Sequence, residues 1–265
     1  MEKRKYTQAN KLAWDAAAPV HAQVKLANLL VDVQTPGYSC LDPIETGIFL
    51  RIGLQGKSVA QLCCNNGLEL ISVKNLGANE CVGFDISSAF IDQARQLAAA
   101  GHFDCEFVES DVLEIPEQYH HRFELVFFTI GALGWIPDLG LLFDTVRSLM
   151  KPGGCLFIYE MHPILDMFEG EDHNDPPALK DSYFREEPFI EETGLDYFHF
   201  SEYQSPKTYW FHHKLADVIG ECIRQGFRLD FFEEYPHDIS NVYRHFENIH
   251  ARLPLCYALA GRLDG

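Results

Sequence analysis

Val59-Ala60-Gln61-Leu62-Cys63-Cys64-Asn65-Asn66-Gly67, with Cys81-Val82-Gly83-Phe84-Asp85-Ile86-Ser87 further on, is the stretch that decides the fold. Each segment is a short apolar run, a strand over Val59 to Cys63 and another over Cys81 to Phe84, that stops in polar, turn-forming residues. Between them Gly67 to Leu76 carries Leu68, Ile71 and Leu76 at helical spacing and ends at Gly77, which takes the left-handed conformation of a helix C-terminus without strain. Strand, helix, strand over so short a distance is a βαβ unit, and such a unit makes its two strands parallel.

The same alternation continues outward. Ser87 caps a helix whose Phe90, Ala94, Leu97 and Ala98 share one face before Gly101 ends it. Strands follow at Cys105 to Val108 and Phe123 to Phe128. A helix over Leu139 to Met150 then runs into the turn Lys151-Pro152-Gly153-Gly154 and a strand at Cys155 to Tyr159. Beyond Pro163 the pattern breaks, and Asp166 to Asp181 is rich in acidic residues, proline and glycine, so an insertion is expected over about 163–207. Leu215, Ile219, Cys222 and Ile223 restore a helical face, ended by Gly226. Strands at Phe227 to Phe232 and Leu255 to Leu259 have no helix between them, which allows an antiparallel final pairing. Upstream, residues 8–33 read as one or two amphipathic helices with Leu12, Leu26, Leu29 and Leu30 on the apolar face. The expected division is a helical cap over 1–40 and one α/β domain over 41–265.

Bulk properties narrow the function. The 265 residues are 47 % hydrophobic and 23 % charged, ordinary for a soluble globular chain, and the formal charge is −18. That field opposes polyanions, so nucleic acid and anionic membranes are poor partners and a small neutral or cationic molecule is a better one. The longest apolar stretch, Leu125 to Ile136, is about half the ~20 residues a membrane helix needs. No secretory leader is legible at the start, and the chain reads as cytoplasmic. The cysteines sit mostly in apolar strands, where free thiols behave as small hydrophobes. Neither Cys-x-x-Cys nor His-Glu-x-x-His occurs, so no metal is expected.

In an open α/β sheet the ligand sits at the carboxyl ends of the strands, beside the switch in strand order. The residues there are Leu62, Cys63, Cys64, Asn65, Asn66 and Gly67 after the first strand, Asp85 and Ile86 after the second, Ser110, Asp111 and Val112 after the third, and Thr129, Ile130 and Gly131 after the fourth. Asp85 ends an apolar strand, where a carboxylate has no packing value; it either accepts from the two hydroxyls of a ribose or caps the next helix, a role Ser87 can also fill. Asp111 can accept from an adenine amine, with Val112 offering its backbone N–H.

These segments, together with Phe123-Glu124-Leu125-Val126 and Leu149-Met150-Lys151-Pro152-Gly153-Gly154, resemble the class I S-adenosylmethionine-dependent methyltransferases over about residues 57–160. Asn10-Lys11-Leu12-Ala13-Trp14-Asp15, Gly131 to Leu139 and Glu160-Met161-His162-Pro163 are similar to one bacterial subgroup, and that likeness extends over nearly the whole chain. The resemblance implies a Rossmann-like, mostly parallel seven-stranded sheet with an antiparallel last strand, helices on both faces, and S-adenosylmethionine as cofactor with S-adenosylhomocysteine as product. It also implies that the first loop meets the methionine part, Asp85 the ribose and Asp111 the adenine. The family's first motif usually opens with an acidic residue and carries three glycines, whereas Gln61, Cys63, Asn65 and Gly67 stand at those positions here.

Methyl transfer from a sulfonium asks the protein mainly to hold an acceptor in line with the S–CH₃ bond. A hydroxyl or ammonium acceptor also needs a base, and His162 is the best placed by sequence, with His21, His212 and His213 behind it. Trp14 is expected as a wall of the cofactor site, and Trp135, Tyr209, His21, His162 and His212 as the pocket of a small-molecule acceptor. The aromatic run Tyr197, Phe198, Phe200, Tyr203, Tyr209, Trp210 and Phe211 would close over it or pack the insertion. Two rivals stay open: a non-catalytic S-adenosylmethionine-binding module, and a nicotinamide-dependent oxidoreductase, which wants a Gly-x-Gly-x-x-Gly loop that this chain lacks.

Overall fold

The computed structural model describes residues 2–170, 172–195, 205–250 and 252–264. Tyr197, Phe198, Phe200 and Tyr203 lie outside the described residues. The sheet contains β1 (Ser58–Leu62), β2 (Glu80–Asp85), β3 (Glu106–Glu109), β4 (Phe123–Thr129), β5 (Met150–Met161), β8 (Phe227–Tyr235) and β9 (Cys256–Leu263), while β6 (Phe189–Glu191) and β7 (Thr208–Trp210) form a separate antiparallel pair. The order is β3-β2-β1-β4-β5-β9-β8; β1 to β5 pair in parallel, and β9 runs antiparallel between β5 and β8. This is the Rossmann-like sheet with an antiparallel last strand that the sequence implies.

The central strands β1 and β4 are mostly apolar and buried along nearly their whole length because both of their faces are covered. On β4, Val126 and Phe128 enter the core beneath α6 (Leu139–Leu149) and α7 (Leu215–Arg224). Leu125 and Phe127 enter the opposite core beneath α3 (Pro43–Ile52), α4 (Leu68–Asn75) and α5 (Ser88–Ala100). Alternation with period two thus builds two cores from one strand.

Two helical features differ from the sequence reading. The first helix, α1 (Glu2–His21), starts earlier and passes through a wide turn at Ala22–Leu26 into α2 (Ala27–Asp32). Helix α3 was not anticipated. Asp42 caps it, accepting from the Glu45 N–H at 2.7 Å, and Pro43 opens its first turn, where a missing N–H costs nothing. Helix α1 packs against α5 and β7, above the carboxyl ends of the strands. Among the described residues no helix is long and apolar enough to cross a membrane.

Candidate active site

The strand order changes direction between the parallel neighbours β1 and β4: from β1 it proceeds to β2 and β3 on one side and to β4 and β5 on the other. At that switch point lies a cavity of about 550 Å³, within the range of small-molecule sites. Its walls include Trp14, Cys63, Cys64, Asn65, Asn66, Asp85, Ile86, Asp111, Val112, Thr129, Ile130, Gly131 and Trp135, all anticipated from the sequence.

The loop after β1 keeps a left-handed backbone without its usual glycines: φ is +54° at Cys63, +49° at Asn65 and +74° at Gly67. A side chain with a Cβ at positive φ is strained, and such strain persists where surrounding structure fixes it. Here the fixing contacts are visible. Cys64 donates its N–H to the Phe84 carbonyl at 3.0 Å, and Asn65 turns its own Oδ1 to the Asn66 N–H at 2.8 Å. Gly67 cannot be replaced in the same way, because a Cβ there would stand 2.3 Å from the Phe107 ring.

Asp85 closes β2. Its Oδ2 accepts from the Asn65 N–H and its Oδ1 from the Ser87 N–H, each at 2.8 Å, leaving further lone pairs toward the cavity. Burial pushes its carboxyl up to about 6, against those two hydrogen bonds. Ser87 caps α5, its side chain accepting from the Phe90 N–H. Asp111 holds its own turn by accepting from the Leu113 N–H at 3.0 Å.

Glu160, near the end of β5, is the residue sequence reasoning missed most clearly. Its buried carboxylate accepts from the N–H groups of Gly131 (2.5 Å), Ala132 (2.8 Å), Leu133 (3.1 Å) and Met161 (2.8 Å), shaping the loop that carries Thr129 to Ala132 into the cavity wall. Helix α1 covers the opening. Asn10 exchanges two hydrogen bonds with the Tyr209 backbone, at 2.8 and 2.9 Å, and so joins α1 to β7; Lys11 reaches the Ile86 carbonyl at 2.7 Å. The rings of Trp14, Trp135 and Trp210 meet edge to face, with centroids 5.2 and 5.1 Å apart, and all three line the cavity.

Other anticipated residues lie elsewhere. Leu62 is buried in β1, Gly67 starts α4, and Ser110 donates its N–H to the Asp85 carbonyl at 2.8 Å. His162 is buried, with Nδ1 accepting from the Ile164 N–H at 3.1 Å and Nε2 donating to Glu234 at 3.0 Å; it faces a separate small cleft. His21 stands behind Trp14, 2.7 Å from the Leu195 carbonyl. His212 lies between Asp166 and the Tyr183 carbonyl, 2.8 Å from each. Tyr209 meets α1 rather than the cavity. Among the described residues no histidine lines the main cavity. Thr7, Asn10, Glu69, Met161 and the loop 239–242 do line it and were not anticipated there, and Trp210, from the aromatic run expected to close over the acceptor or pack the insertion, lines it as well.

Residues 59–154 match the family described as the methyltransferase domain. An uncharacterised protein of Haemophilus influenzae is 24 % identical over 233 residues, 83 % of this chain and 86 % of that one. The 2-phytyl-1,4-naphtoquinone methyltransferase of Synechococcus elongatus is 31 % identical over 128 residues, 43 % of this chain and 52 % of that protein, so the match spans about half of that relative's length. An S-adenosylmethionine-dependent methyltransferase structure from Mesorhizobium loti superposes with a TM-score of 0.60 at 22 % identity, covering 79 % of this chain and 92 % of that one, which carries the fold. With the sheet order and the family match together, residues 59–154 carry a methyltransferase domain, in a chain with the fold of the S-adenosylmethionine-dependent methyltransferases.

Proposed function

We propose that this protein transfers the methyl group of S-adenosylmethionine to a small, largely apolar acceptor, releasing S-adenosylhomocysteine. The observation that carries the reading is the meeting of Asp85 with the left-handed loop at 63–67 on the wall of one cavity at the sheet's switch point. The residues present fit that cofactor. Asp85 still has lone pairs for a ribose diol, Asp111 and Val112 stand where an adenine edge would lie, and Trp14 offers an apolar wall. When bound, the cofactor supplies a methyl group already attached to a good leaving group. The protein then contributes position, worth on the order of 7 to 11 kcal/mol at best.

The acceptor class follows from the remaining walls. Ile130, Trp135, Met161, Trp210, Ile239 and Val242 are apolar or aromatic, with Ser240 and Asn241 beside them, while the titratable groups of the lining are thiols and carboxylates. Such walls favour a neutral or cationic molecule over a carboxylate or phosphate, in keeping with the net charge of −18. The Asn10 junction holds α1 as a cover that keeps water from the reacting groups.

All three tryptophans of the chain line the cavity, so intrinsic fluorescence reads its occupancy directly. Titration with S-adenosylhomocysteine is expected to give a saturable change at micromolar ligand, and radiolabelled methyl groups should pass to members of a small-molecule acceptor panel. Binding without transfer to any acceptor supports the non-catalytic module. A response to NADH and none to S-adenosylhomocysteine replaces the reading with the oxidoreductase.

A further inference from the structure

The first motif opens with Gln61 where an acidic residue is usual, yet a carboxylate is present at the same place in space. Glu69, in the first turn of α4, lines the cavity. Gln61 Nε2 and Thr129 Oγ1 both donate to its Oε2, and its Oε1 accepts no hydrogen bond from the described residues. Nor does any described lysine, arginine or histidine pair with it. Gln61 is 1 % exposed, and its own Oε1 is buried without a partner although the same amide group touches Glu69. The buried Glu45 of α3 likewise has an Oε1 without a partner.

Glu69 thus gives the cavity wall a carboxylate oxygen with no hydrogen-bond donor or cation beside it among the described residues, while Gln61 and Glu45 are buried outside the lining. Buried acceptors left unpaired are costly, and a carboxylate in a poorly solvated wall is costlier. Burial does push the Glu69 carboxyl up, while the Thr129 and Gln61 hydrogen bonds favour its charged form. A cationic N–H donor in the cavity would satisfy the free oxygen of Glu69. Its position is also defined: Thr129 ends β4, Gln61 pairs in register with Phe127 on β4, and Asp85 lies on the far side of β1 at the end of β2. The described residues hold no group of three or more ligands suited to a metal ion, so a primary ammonium fits better.

We propose that Glu69 holds the α-ammonium of the cofactor's methionyl portion. The acidic group has moved from the end of the first strand to the following helix, and Gln61 now serves as its brace. This rests on the cofactor reading above.

The test compares S-adenosylhomocysteine with 5′-methylthioadenosine, which keeps the nucleoside and thioether but lacks the amino-acid portion. In calorimetric titration Glu69→Gln is expected to weaken S-adenosylhomocysteine about 10- to 100-fold, the scale of a lost charge-assisted hydrogen bond, while 5′-methylthioadenosine changes less than about twofold. Glu69→Asp, which keeps the charge, should recover part of the loss. Unchanged 5′-methylthioadenosine affinity shows that the variant is folded. Equal weakening of both ligands, or S-adenosylhomocysteine affinity within about twofold of the parent, overturns the assignment. Failure of the parent protein to bind either ligand removes the cofactor reading itself, a result distinct from both.

Discussion

The backbone N–H of Asn65 donates to Asp85 Oδ2 at 2.8 Å, fastening the loop after β1 to the carboxylate that ends β2. One side chain therefore serves two purposes: it holds a strained loop in shape and presents its remaining lone pairs to the cavity. Its partner at Oδ1 is the Ser87 N–H, so both oxygens accept from the backbone, and an amide in place of the carboxylate would set an NH₂ group against one N–H.

Nucleoside binding should consequently depend on pH through Asp85. Its folded pKa of about 6 lies above the ordinary 3.8. Ribose hydroxyls donate to the ionised form, so a bound nucleoside favours loss of that proton. Affinity is therefore full above about pH 6 and falls with a slope approaching one decade per unit below it. With 5′-methylthioadenosine as ligand, which does not engage Glu69, calorimetry from pH 5 to 8 is expected to show this step in the parent protein. Asp85→Asn should abolish it and cost about tenfold or more at neutral pH. A flat profile in the parent would detach Asp85 from the ribose.

How far the sequence carried can be judged at particular residues. Asp85 was legible because a carboxylate after an apolar run has no packing use, and the βαβ pattern placed it at a strand's carboxyl end. Helix α3 was missed although its signals are local: Asp42, Pro43 and Glu45 form a capped first turn that lies outside the alternating pattern. Glu160 and Asn10 both stood in recognisable motifs, but their partners are distant, the Gly131 to Leu133 amides for one and the Tyr209 backbone for the other. His162 illustrates the limit best. Its place after β5 was read correctly, but its direction is set by Glu234, 72 residues away on β8, and spacing along one strand carries no such information.

The cover over the cavity rests on Asn10, which mimics a strand by donating to and accepting from the Tyr209 backbone. Asn10→Ala removes both hydrogen bonds and leaves the Tyr209 N–H and carbonyl without these partners, a change of about 1 to 3 kcal/mol. Amide exchange at Tyr209 should quicken by tenfold or more, while exchange in the central strand β4 stays as it was. Tryptophan emission should shift to the red, since Trp14 rides on the same helix about one turn beyond Asn10 and lines the cavity. Unaltered exchange at Tyr209 would mean that the other contacts of α1, its packing on α5 and β7 and the Lys11 hydrogen bond, hold the cover without Asn10.

His162 serves structure rather than proton transfer if its two hydrogen bonds define its role, and pH separates the two. Burial draws its pKa below the ordinary 6.5, with Glu234 acting in the opposite sense. A base whose folded pKa lies below its unfolded value binds fewer protons in the folded state. The stability it contributes is therefore full above about pH 6.5 and is lost as the pH falls through that value. His162→Asn keeps an acceptor for the Ile164 N–H but has no ring to reach Glu234, and should lower the melting temperature at neutral pH while flattening its decline toward pH 5. Methyl transfer by the folded variant should retain the parent's pH profile, because the main cavity is lined by other residues. A rate that falls below one pKa in the parent, and loses that pKa in His162→Asn, would instead make His162 the base.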